Sequence, residues 1–264
     1  MDNCPPCLIV DMHGVKMNDV SQIRRILLMH RFLIIFVILL SFATQTAAQS
    51  LELGEEAFEN GDFEMALKEF TLLSEAGNAR AQMFMGIMYD DGIGVELDKN
   101  EAVRWFKLSA DQGYVFSQMI MGTLLYDGDG VEKDVEKSLE YLMKAAEQNL
   151  ADAQWKIGEI YEDIDDGARS AFEAVNWYRL AAEQGHAPAQ SKLGERYLKD
   201  GWLIDNIKMQ EMGLMWSVIA MLQGYEPAEF NVMSYENRFN EDSINRIKGM
   251  VNGCFENNFS GCEE

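Results

Sequence analysis

A period of 36 residues restricts this chain more than any other feature. From Ala79 the sequence reads ARAQMFMGIMYDDGIGVELDKNEAVRWFKLSADQGY, and from Val115 it reads VFSQMIMGTLLYDGDGVEKDVEKSLEYLMKAAEQNL. A third copy starts at Ala151 and a fourth, three residues longer, at Ala187. Gly86, Gly122, Gly158 and Gly194 recur at this spacing, as do Gln82, Gln118, Gln154 and Gln190. Trp105, Tyr141 and Trp177 keep the same period, and Trp216 follows once the insertion is passed. Such self-similarity marks stacked supersecondary units, each unable to bury its apolar face alone.

Each copy reads as two helices. The first, helix A, runs from the Ala-x-Ala-Gln segment to the Tyr. A loop follows, carrying Gly92, Gly94 and Val95 in the first copy and Gly128, Gly130 and Val131 in the second. Glycine there admits the positive φ that ends a helix and turns the chain. Helix B is predicted from about Asn100 to Gln112, ending at Gly113. Its apolar residues Ala102, Val103, Phe106 and Ala110 keep helical spacing. Only 4 prolines occur in 264 residues, and 48% of residues are apolar, enough for a core. The small residues Ala81 and Gly86 suit close helix pairing, and the recurring aromatics at 105, 141, 177 and 216 are expected in the core. The fold class is thus all-α, a right-handed α-α superhelix of helix-turn-helix repeats.

The pattern Ala81-Gln82, Gly86, Tyr89, Gly92, Gly94-Val95, Asp98, Ala102, Trp105-Phe106, Ala110 and Gly113 resembles the Sel-1-like repeat family, a relative of the tetratricopeptide repeat. Ala174, Trp177-Tyr178, Ala181-Ala182 and Gly185 carry it in the third copy. The likeness covers about residues 79–225 as four repeats. Residues 49–78 form a looser tetratricopeptide-like first repeat, and residues 226–264 a helical cap with a last helix over 240–255. The third copy departs from the pattern, with Ile164 and Asp166 in place of the loop glycines. The resemblance implies a protein- or peptide-binding module rather than an enzyme. It also leaves the residue after the conserved Gln variable: Met83, Met119, Trp155 and Ser191. Residues four apart share a helix face, which pairs Met83 with Ile87, Met119 with Thr123 and Trp155 with Glu159. These six are the candidate binding residues on the inner face, with packing against the next repeat as the plain alternative.

Sharper chemistry finds little support. Asp127-Gly-Asp129-Gly130 looks like a calcium loop, but Leu125 stands where the first oxygen ligand belongs. His186, at a repeat end, lacks the partners of a zinc site. No cofactor, metal or catalytic residue is expected. The alternative is a β-lactam-binding or β-lactam-hydrolysing enzyme, as credited to cysteine-rich exported members of the family. Those carry a cysteine pair in every repeat, and the repeats here have none.

The chain carries 44 acidic and 22 basic side chains, a net charge of −22. That balance disfavours nucleic acid, which is bound through Lys and Arg. Residues 32–42, FLIIFVILLSF, are uncharged, follow Arg24, Arg25 and Arg31, and precede ATQTAAQS. A positive segment, a short apolar run and small residues describe a secretory signal with cleavage after Ala48. The run is too short for a comfortable membrane span, which takes about 20 residues, and an uncleaved signal anchor is the alternative. Met29 fits as the natural start, leaving residues 1–28, with Cys4 and Cys7, as an upstream extension. The mature chain, periplasmic or secreted, loses four basic and three acidic groups and reaches −23. Its two remaining cysteines, Cys254 and Cys262, should bridge in an oxidising compartment. Oligomeric state is not readable. N-terminal sequencing of the exported protein should begin at Gln49; retention of residues 1–28 would overturn both the start and the cleavage site.

Overall fold

The computed structural model describes Met29, Leu33 and residues 49–164 and 167–263. The expectations for the upstream extension, the export signal and Asp166 lie outside the described residues. Residues 49–59 are helical (α1). Eleven α-helices follow: α2 (Phe63–Glu75), α3 (Ala79–Asp91), α4 (Lys99–Asp111), α5 (Val115–Asp127), α6 (Val135–Glu147), α7 (Ala151–Asp163), α8 (Ala168–Ala182), α9 (Ala187–Leu203), α10 (Ile207–Leu222), α11 (Pro227–Tyr235) and α12 (Glu241–Glu256). A single 3-10 turn, Glu236–Arg238, separates the last two. No strand occurs among the described residues. α3 with α4, α5 with α6, α7 with α8 and α9 with α10 form antiparallel hairpins, and each B helix also meets the next A helix. The result is an all-α solenoid.

Local chemistry sets the helix ends. Asn78 caps α3 by accepting from the Ala81 amide at 2.9 Å. Asp98 caps α4 by accepting from the Asn100 and Glu101 amides, and Asp134 caps α6 through Lys137. These side chains satisfy amides that the first helical turn leaves without partners. Gly92 and Gly128 end the A helices in the left-handed region, at φ 68° and 76°. In the third copy Ile164 takes that place in an extended conformation instead, at φ −75°. At the end of the B helices Gly77, Gly113 and Gly185 hold positive φ, and Asn149 holds it in the second copy, a residue that tolerates this region.

The periodic glycines let the paired helices touch. A Cβ on Gly86 or Gly158 would sit 2.5 Å from the ring of Phe106 or Tyr178, and one on Gly122 would sit 2.5 Å from Leu142 Cγ. This contact corrects one expectation. Trp105, Tyr141 and Trp177 are only half-buried. Their C-terminal neighbours Phe106, Leu142 and Tyr178 lie opposite the glycines and form the core. The register rotates by one residue because the glycine opens a slot for a large side chain there, and the preceding aromatic then falls at the rim. In the fourth copy the slot is closed: Gly194 faces Gly213 and Ser217, and Trp216 is fully buried.

The periodic glutamines join successive hairpins. Gln82 Nε2 donates to the Ser74 carbonyl at 3.1 Å, and its Oε1 accepts from Gln112 Nε2 at 2.6 Å. Gln118 repeats this with the Ala110 carbonyl and Gln148, and Gln154 with the Ala146 carbonyl and Gln184. Gln190 binds the Ala182 carbonyl at 3.0 Å and accepts from Gln223. Each buried amide thus spans the end of the preceding B helix and the end of its own.

The fourth hairpin absorbs its insertion by lengthening α9 to 17 residues, against 13 in α3, α5 and α7. Beyond it, Val232, Ile247, Val251 and Cys254 join the buried cluster that includes Leu214 and Ile219. Asn240 caps α12 as its N-terminal residue. Cys254 and Cys262 stand at disulfide distance, their Cα atoms 4.9 Å apart. Gly122→Leu should destabilise the chain by about 1–3 kcal/mol, since the added carbons meet Leu142 and the Ser138 carbonyl. Chemical denaturation measures it, and a neutral result would mean that α5 and α6 can part at no cost.

Candidate functional site

The six candidate binding residues lie on α3, α5 and α7, one pair per repeat, and all six are half-buried. Met83 and Ile87 pack on the cluster containing Ala102, Phe106, Met121 and Leu124. Met119 packs on Leu142, Ala145, Ala153 and Ile157. Trp155 packs on the cluster that includes Ala189 and Leu193. Each apolar candidate therefore contributes to the seam with its own B helix and the following repeat while keeping part of its surface in solvent. Thr123 Oγ1 donates back to the Met119 carbonyl at 3.1 Å, and Glu159 pairs with Lys156 at 3.4 Å.

Along the same helices runs a polar and aromatic margin that the sequence reading did not single out. Phe116, one turn before Met119–Ile120, is 45% exposed. The Tyr126 hydroxyl donates to Asp163 of the next A helix. Lys133 and Lys156 stand 4.5 and 5.1 Å from its ring centroid. The bond to Asp163, reinforced by burial, pushes the Tyr126 hydroxyl up to about 12, so it remains a donor. Tyr178 donates to Glu162 at 2.9 Å, and burial followed by the nearby carboxylates raises its hydroxyl as well. Lys192 reaches Glu162 at 3.4 Å. Tyrosines held protonated beside carboxylates bind and orient; they supply neither a nucleophile nor a base at neutral pH.

The calcium-like loop is an ordinary repeat loop. Lys99 holds Asp129 at 3.1 Å and Asp90 at 2.9 Å, and Gly128 is the C-cap of α5. His186 is a cap. Its Nδ1 accepts from the Ala189 amide at 3.1 Å and its Nε2 faces Asp152 at 3.1 Å. Its ring lies 5.4 Å from that of Trp155. Among the described residues no three His, Cys, Asp or Glu side chains form a group able to hold a metal ion.

One polar cluster left no sequence signal. Arg179, Tyr197 and Trp216 all bind Glu263, which is 84, 66 and 47 residues away respectively. Contacts at that separation come from the closing of the array on its C-terminal segment, which no local pattern encodes.

The Sel1 repeat family model matches residues 79–114, 115–150 and 151–186, the bounds of the first three periods. The fourth hairpin, α9 and α10, lies outside those matches. The crystal structure of c5321, a protective antigen of uropathogenic Escherichia coli strains with an SLR fold, is 28% identical with a TM-score of 0.65. It aligns over 74% of this chain, which spans only 42% of that protein. A Sel1 repeat protein from Oxalobacter formigenes is 30% identical with a TM-score of 0.62, over 69% of this chain and 73% of that one. Among curated proteins none matches with significance.

His186 makes a pH dependence visible. Burial lowers its pKa, against the raising effect of Asp152, and Nδ1 can accept from Ala189 only when unprotonated. The unfolded chain therefore takes up the proton first. The contribution is full above the unfolded value near 6.5 and is lost as pH falls below it. Melting measured from pH 7.5 to 5.5 should show a loss of stability that His186→Asn, which retains a capping side chain, does not share. Equal losses in both would remove His186 from the cause.

Proposed function

We propose that this chain, which belongs to the Sel1 repeat family, is an exported, non-catalytic scaffold that docks a protein or peptide along its A-helix face. Sel1 repeat proteins are generally protein-interaction modules. One observation carries the reading for this chain. The buried positions repeat their chemistry, with Gln and Gly at every copy, whereas the half-exposed positions beside them change from copy to copy. Met83, Met119 and Trp155 form one such row, which is buried at Ser191 in the fourth copy, and Ile87, Thr123, Glu159 and Glu195 form another. A constant frame bearing a varied edge is what selection for a particular partner leaves on a repeat array. The row ends in carboxylates, which suits a partner presenting apolar residues followed by basic ones.

Export rests on the signal-like segment and on two cysteines placed at bonding distance. The test is affinity capture from envelope and medium fractions with the mature chain, quantified against Glu159→Lys and Phe116→Ala. Both positions keep solvent contact, and Glu159→Lys gives up only the pair with Lys156, so stability should fall by no more than about 1 kcal/mol. The captured partner should be lost at least tenfold with Glu159→Lys. Unchanged recovery with both variants would move the docking surface elsewhere.

A further inference from the structure

The C-terminal segment delivers a carboxylate into a built socket. Trp216 Nε1 donates to Glu263 Oε1 at 2.9 Å, while Arg179 Nε and the Tyr197 hydroxyl donate to Oε2 at 3.0 and 3.1 Å. Trp216 is fully buried, so without an acceptor its indole N–H would stand desolvated and unpaired. Arg179 is aimed by Tyr197 and by Asn176, the latter at 3.2 Å. Burial, and then Glu263, push the Tyr197 hydroxyl up to about 12, so it stays a donor. Three convergent donors, one of them a guanidinium, form a carboxylate-recognition site.

The socket is also one wall of an open pocket of about 640 Å³ between α8, α9 and the start of α10. Phe172, Val175, Met209 and Met212 give it an apolar side; Lys208 adds positive charge, and Arg196 is paired with Asp200 at 2.9 Å. Phe172 is 65% exposed. In a chain of net charge −22, a concave apolar surface beside Lys208 and the Arg179 socket stands out. The segment that reaches it is held under constraint: Asn258 and Phe259 adopt φ 50° and 66°, a region costly for a bulky aromatic residue. The Cys254–Cys262 pair fastens that turn immediately before Glu263.

We propose that this pocket binds an acidic peptide, a carboxylate flanked by an apolar side chain, and that Glu263 is its resident occupant in cis. The carboxylate of the incoming peptide takes the three donors, and its apolar neighbour lies against Phe172, Met209 and Met212. The tether gives Glu263 a high local concentration, so an outside peptide competes poorly while the turn is fastened. A dithiol opens it: two electrons and two protons pass to Cys254 and Cys262, which become thiols, and the dithiol becomes a disulfide. The constrained turn then relaxes and the resident leaves more readily.

The test is fluorescence polarisation with a labelled peptide of residues 255–264 carrying Cys262→Leu, which removes the thiol and sets an apolar side chain beside Glu263, against the purified chain. Glu263→Ala keeps the bridge and vacates the socket; it should bind the peptide at least tenfold more tightly than the unaltered chain. The unaltered chain treated with dithiothreitol should move in the same direction. The same peptide carrying Glu263→Gln should lose that binding, as should the double variant Arg179→Gln with Glu263→Ala. The glutamine peptide keeps the test decisive should the Arg179 change loosen the fold. Equal binding of the two peptides, or no binding to Glu263→Ala, would overturn the proposal.

Discussion

The solenoid depends on one buried amide repeated four times. An unpaired amide in an apolar interior is costly, so a buried glutamine persists only where both ends are satisfied. Gln82, Gln118, Gln154 and Gln190 meet that condition by reaching back to the carbonyl eight residues earlier and forward to the glutamine that closes the next B helix. Each hairpin is thereby placed against its predecessor in translation and in rotation. Apolar packing alone is tolerant of sliding; a donor and an acceptor that must both be found are not. The glycine one turn later then brings the partner helix within van der Waals contact, and the slot it opens receives Phe106, Leu142 or Tyr178.

This division of labour explains what could be read from the sequence. The period, the helix pairs and the loop glycines were visible because each is a local requirement imposed at every copy. The recurrence of glutamine was visible too, but its partners were not, since Gln112, Gln148 and Gln184 lie 30 residues away. Periodicity fixes spacing along the chain and leaves rotation about the helix axis to packing. Trp105, Tyr141 and Trp177 were therefore expected one position deeper than they lie. The cysteine pair was legible by count, whereas the anchorage of Glu263 was not, because its three donors are drawn from three helices. The candidate binding residues were legible as a row, and their double duty at the inter-repeat seam was not.

Charge contributes little to the frame itself. Ion pairs such as Lys107–Asp111 and Lys199–Glu195 join residues four apart on exposed helix faces, where such pairs contribute a few tenths of a kcal/mol. Two cations instead join segments distant in sequence: Lys99 bridges the loops of two repeats, and Arg179 gathers the C-terminal segment.

The span from Gln190 to Gln223 is 33 residues, against 30 in the other three copies. The linkage survives because the three extra residues enter between the two anchoring points, in the lengthened α9 and its turn, while the segments carrying the amides keep their places. A unit defined in this way has interchangeable ends: every copy offers the carbonyl that its successor needs and requires only the carbonyl of its predecessor. A gene encoding such a chain can gain or lose a whole copy by unequal recombination and still produce a molecule in which every amide is satisfied. Length is then the variable that evolution adjusts most cheaply, and the residues on the outer edge of each copy can diverge after duplication without renegotiating the core.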